Sequence, residues 1–229
     1  MGQLGKMGRA LPKTESEELF EQFCAEHHVR CDPIPRELGL TPDYDVYLGE
    51  RQVVVEVKQL EPNEEDAAKI KLFAEGKQVV FGGEAGKRVR QEITRAKKQL
   101  KERAKGRFPA LLVLYNTQGL IHYFDPMFIM IGMYGEMLAH VTVAPGGGEP
   151  RFLEGLSHGG KRMVTPEHNT TISALCVLIE NPEGQPTLTF YHNRYAAIAF
   201  EPDWFRAERV KHYKTSSTQP HQFGEWIPA

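Results

Sequence analysis

Three cysteines in 229 residues, no long apolar run and a net charge of only −2 exclude several classes of protein at once. Cys24, Cys31 and Cys176 are odd in number and match no zinc spacing, so neither a disulfide framework nor a zinc module is expected and a reducing, cytoplasmic setting is the default. The longest apolar stretch, Met127 to Met137, is about half of what a membrane span requires and is interrupted by glycines. The basic start MGQLGKMGRALPK lacks the apolar segment of a cleavable signal, so no membrane partner is expected. There is no internal repeat and no helix-turn-helix signature. Glycines do gather at Gly82-Gly83-Glu84-Ala85-Gly86-Lys87-Arg88. Only three residues separate Gly82 from Gly86, however, and Arg88 stands where a phosphate loop needs Ser or Thr, so no nucleotide cofactor is expected.

What is present is enough for one core. A hydrophobic content of 41% predicts a single domain over residues 14–213, with a flexible N-terminus (1–13) and a flexible C-terminal tail (214–229). Within it, Val53 to Leu60 (VVVEVKQL) reads as a strand whose alternation puts Val53, Val55 and Val57 on one face and Val54, Glu56 and Lys58 on the other. Glu56 and Lys58 are then roughly 6 to 7 Å apart along the backbone. Valine-rich strands are interior, and charges there are expensive unless paired or bound to a metal. Just upstream, Thr41 to Glu50 forms a second alternating strand ending in a turn at Gly49, so the two predict a hairpin. Asp43 and Asp45 share a face of it. A register that sets that face beside Glu56 and Lys58 gathers two or three carboxylates around one lysine, and such hard oxygens suit Mg²⁺ or Mn²⁺ rather than zinc.

The charge is unevenly spread. Lys87 to Arg107 holds ten basic residues against Glu92 and Glu102, a local +8 that leaves −10 elsewhere. Val89, Ile93, Ala96 and Leu100 recur at helical spacing, so this helix can pack on the sheet and turn its bases outward. A solvated face is the usual meaning of a charge run, but one so strongly one-signed favours phosphate contact, with Arg88, Arg90, Lys97, Lys98 and Lys101 as candidates. Gln99 of the same helix could approach the site.

Pro42-Asp43, a gap and then Glu56-Val57-Lys58 together resemble the signature of the PD-(D/E)xK, or restriction-endonuclease-like, nuclease superfamily. The likeness covers about residues 15 to 115 and includes a preceding glutamate-bearing helix, Ser16 to His28. It implies an α/β fold, a mixed central sheet flanked by helices, to which the C-terminal hairpin adds strands. It also implies a metal-dependent nuclease, in which Asp43, Glu56 and the backbone carbonyl of Val57 hold Mg²⁺ (or Mn²⁺) and Lys58 orients the attacking water. Glu17 or Glu21 would be a further ligand, Asp45 a second or substitute one, and Gln59 a supporting residue. The partner would be nucleic acid, with DNA preferred, and a homodimer would suit cleavage of paired strands. The alternatives are a catalytically inactive nuclease-fold protein that binds nucleic acid or supports assembly, and a soluble domain whose basic helix meets an acidic protein.

Further along, Ala110 to Tyr115 reads as a central strand, and Asp125-Pro126 starts a helix with Met127, Met130, Ile131, Tyr134 and Leu138 on its buried face. Thr171 to Glu180 and Thr187 to Tyr191 form a hairpin across Asn181-Pro182-Glu183-Gly184. In Tyr191-His192-Asn193-Arg194-Tyr195, caps and packed tyrosines are preferred over a catalytic His192 or a phosphate-clamping Arg194. His122, His140, His158 and His168 show no ligand spacing.

Overall fold

The computed structural model describes residues 12–35, 40–80, 82–117 and 123–229. His122 and residues 1–11 of the expected flexible N-terminus lie outside the described residues.

Helix α1 (Glu15–Glu26) starts with a capping box: the Thr14 hydroxyl accepts the Glu17 N–H, and the Glu17 carboxylate accepts the Thr14 N–H. Strands β1 (Arg30–Pro33), β2 (Tyr44–Leu48) and β3 (Arg51–Leu60) pair antiparallel in succession, with Gly49 at φ +64° in the β2–β3 turn. Helices α2 (Glu64–Ala74) and α3 (Lys87–Ala104) lead to β4 (Ala110–Asn116), which lies parallel to β3. After α4 (Pro126–Tyr134) comes a separate two-stranded ribbon, β5 (Met137–Thr142) and β6 (Arg151–His158). The chain then returns to the main sheet with β7 (Ile172–Glu180), β8 (Pro186–His192), β9 (Val210–Thr215) and β10 (Trp226–Pro228). The result is a mixed α/β fold, an eight-stranded sheet ordered β1-β2-β3-β4-β7-β8-β9-β10 and flanked by four helices.

Alternation along the strands divides the core into two layers. Val53, Val55, Val57, Val113, Cys176 and Phe190 pack under α1 with Phe20 and Phe23. Val54, Leu112, Leu114 and Leu175 pack under α3 and α4 with Val89, Ile93, Ala96, Leu100 and Met130. Because helices cover both faces, Ala110 to Tyr115 can be apolar without a break, and all six are buried.

Two expectations are corrected here. Leu138 is not on α4: Gly135 at φ +106° ends that helix, and a Cβ there would sit 2.7 Å from the Gly160 carbonyl oxygen, so Leu138 falls on β5, exposed, and Met127 is exposed too. Nor is 214–229 a loose tail. Trp226–Pro228 pairs with Tyr213–Thr215, and the Trp226 ring lies 4.9 Å from Tyr191 while its indole N–H donates to the Pro126 carbonyl at 2.8 Å. Among the described residues no helix is long and apolar enough to cross a membrane.

Candidate active site

The β2–β3 register sets Tyr44 opposite Val55 and Asp45 opposite Val54, so one residue further on Asp43 shares a face with Glu56. Its backbone closes the same ladder, the Asp43 N–H donating to the Val55 carbonyl at 3.1 Å, and its Oδ2 accepts the Val57 N–H at 2.8 Å. Val57 therefore enters the site through its amide, as the anchor of Asp43. Glu56 has no exposed surface, and its carboxylate lies against Asp43 and the Lys58 ammonium. The Lys58 ammonium forms an ion pair with Glu56 Oε1 and is itself partly exposed. Burial, and then the Asp43 charge, push the Glu56 carboxyl up from 4.5 to about 7, against the pull of Lys58.

Helix α3 brings a third carboxylate. Glu92 is buried on the sheet-facing side, its pKa raised by burial and held down by the charges of Arg95, Lys58 and Arg88. Arg95 donates to it at 2.7 Å. Lys58 thus stands among the carboxylates of Glu56 and Glu92. Glu92 is one of two acids in a basic run, and its phase, three residues after Val89 and one before Ile93, puts it on the buried stripe.

The remaining expected residues divide sharply. Glu17 and Glu21 lie on the α1 side, and the sheet separates them from Glu56. Glu17 accepts the Thr14 N–H and hydroxyl at 2.7 and 2.9 Å, and Glu21 takes Lys13 at 2.6 Å and the Tyr44 hydroxyl at 3.0 Å. Gln59 is also on that side, accepting the Ser16 N–H at 2.9 Å and so tying the start of α1 to β3. Asp45 does lie on the α3 side, but Arg103 grips both of its oxygens. Gln99 reaches across from α3 to donate to the Thr41 carbonyl at 2.8 Å, which fixes the chain two residues before Asp43.

No family model, curated protein or solved structure matches this chain.

Among the five basic candidates on α3, Arg88 pairs with Asp66 at 3.0 Å over the Tyr123 ring, and Arg90 is buried against Glu84 and the Ala85 carbonyl. Their charges serve internal contacts. Lys97, Lys98 and Lys101 are exposed. In the Tyr191–Tyr195 segment, His192 shares a hydrogen bond with His212 at 3.0 Å, Asn193 donates to the Ile172 carbonyl, and Arg194 stacks on Tyr134 and Tyr195. These are packing roles.

The donor set suits a small hard cation. Two neighbouring carboxylates, one of them buried and raised in pKa by burial and by the other's charge, form an arrangement whose charge a divalent ion would offset. Among the described residues no group of three or more His, Cys, Asp or Glu converges in metal-holding geometry, so this chain offers the pair Asp43 and Glu56.

Proposed function

We propose that this protein is a metal-dependent nuclease with a restriction-endonuclease-like core, hydrolysing phosphodiester bonds of DNA. The observation that carries the reading is Glu56: a carboxylate with no exposed surface, set beside Asp43 and paired with the Lys58 ammonium of the same strand. A buried charge pair of this kind is weak support for stability, since apolar residues of similar volume often serve a fold as well. The order of α1, the β2–β3 hairpin, α3 and the parallel β4 agrees with such a core.

Asp43, Glu56 and the Val57 carbonyl would hold Mg²⁺ or Mn²⁺. Bound there, the ion would lower the pKa of the attacking water and screen the phosphate. Lys58 would orient that water and offset charge on the phosphoryl oxygens, with the carboxylate of Glu92 within electrostatic reach on α3. Lys97, Lys98 and Lys101 would track the nucleic-acid backbone along the outer face of α3. A cytoplasmic setting and a homodimer fit this reading.

A catalytically silent nucleic-acid-binding module is the second reading, favoured by one observation: Lys58 already neutralises Glu56. Cleavage of supercoiled plasmid and of labelled single strands separates the two. With Mg²⁺ or Mn²⁺ the intact protein should cut, EDTA should stop it, and Glu56→Ala and Lys58→Ala should each lose on the order of 100-fold or more. No cutting of any substrate together with no Mg²⁺ binding would sink the nuclease and leave the binding module.

A further inference from the structure

Helix α1 ends in a turn that folds the chain back beneath it. His28 takes φ +54°, its N–H donates to the Ala25 carbonyl at 3.1 Å, and the Val29 N–H donates to the Cys24 carbonyl at 2.8 Å. The chain thus enters β1 directly from the backbone of Cys24. Alternation puts Val29, just before β1, and Cys31, within it, on one face, and both pack against the layer under α1 that contains Cys24. The register agrees, since Cys31 lies opposite Val46, a buried member of the same layer. There the two side chains meet, Cys24 donating its S–H to the Cys31 sulfur.

Exposure divides the pair. Of the three thiols in the chain, Cys31 alone is not buried. The hydrogen bond to Cys31, and then burial, hold the Cys24 thiol above its ordinary range, so it waits protonated behind a neighbour that solvent reaches.

We propose that Cys24 and Cys31 are a reversible oxidation site, closing to a disulfide by exchange with a small-molecule disulfide such as oxidised glutathione. The Cys31 thiolate attacks one sulfur of the reagent, whose S–S bond breaks and releases one thiolate. Cys24 then gives up its proton and attacks the Cys31 sulfur of the mixed disulfide, expelling the second thiolate. Two protein thiols are oxidised to one disulfide, one reagent disulfide is reduced to two thiols, and the two protons end on the leaving sulfurs. The bond would clasp β1, an edge strand with a partner on one side only, to the end of α1. Just beyond β1 the Ile34 N–H donates to the Asp43 carbonyl at 2.9 Å, so the clasp steadies the edge that adjoins Asp43. The inference stands whether or not the chain cuts nucleic acid.

The full chain, reduced and then equilibrated with oxidised glutathione at about pH 8 without denaturant, is quenched in acid, unfolded, alkylated and weighed. It should be lighter by two hydrogens, keep one alkylatable thiol of its three, and yield a peptide joining Cys24 to Cys31 that dithiothreitol separates. Cys24→Ser should stop with glutathione held on Cys31, Cys31→Ser should react at least about 10-fold more slowly than the parent, and Cys176→Ser should behave as the parent does. Hydrogen exchange between Val29 and Ile34 should slow by about 10-fold on oxidation. A parent that stops at the mixed disulfide overturns the proposal, as does a Cys24–Cys31 link that forms only in urea or joins two copies. Unchanged exchange in the oxidised chain overturns the clasp.

Discussion

At Glu56 the cost of the site can be measured directly. The lifted carboxyl binds its proton more tightly in the folded chain than in the unfolded one, so the penalty is absent below about 4.5, grows as pH rises and is complete above about 7. Glu56→Gln removes the charge and keeps the shape. Without metal it should raise stability at pH 8 by about 1–3 kcal/mol, a few degrees in thermal midpoint, and by much less at pH 5. A variant that melts lower than the parent at pH 8 would mean that the Lys58 pair outweighs burial. Asp43, Glu56 and Lys58 were legible in sequence because alternation alone assigns their face. The partners of Glu17, Glu21 and Asp45 were not, because Thr14, Lys13, Tyr44 and Arg103 claim them through contacts that only the packed chain creates. Glu92 differs: its phase with Val89 and Ile93 is readable, but its nearness to Lys58 arises only when α3 packs on the sheet.

Elements with strong periodicity were readable, including α3, β3, β4 and the β7–β8 hairpin. Those that depend on a distant partner were not. β1, β9 and β10 are short, carry mixed residues and exist because a neighbouring strand offers hydrogen bonds. The same dependence places histidines inside the C-terminal layer, where burial lowers His158 and His192 from 6.5 to about 4. Both are neutral in the folded chain and take a proton more readily when unfolded. Their contribution is therefore present above about 6.5 and is lost as pH falls towards 4. Urea midpoints should drop between pH 7 and pH 4.5, with on the order of 3 kcal/mol from the two together, and His158→Gln should flatten that slope. An unchanged slope in the variant would show that carboxylates alone govern the acid side.

Across the whole molecule, composition told of one core and a lopsided charge but could not give strand order, since parallel pairing of β3, β4 and β7 is fixed by how the crossovers pack. Nor could it separate bases that hold the fold from those that face outward. The structure makes that division. Lys97→Glu with Lys98→Glu and Lys101→Glu should weaken DNA binding and lower the salt dependence by up to about three phosphate contacts, with no change in folding. Arg90→Ala should instead cost stability, because the Ala85 carbonyl loses the Arg90 donor and Glu84 is left with Lys161. Equal effects of the two on binding alone would contradict the division.

The complete enclosure of Glu56 also has a meaning in time. A carboxylate with no exposed surface meets a proton or an ion only when the chain around it breathes, so arrival and departure share one clock, set by the local opening of its surroundings. Occupancy at equilibrium and speed of exchange are then separate properties of this protein: the first belongs to the charges on the strand, the second to the packing around them.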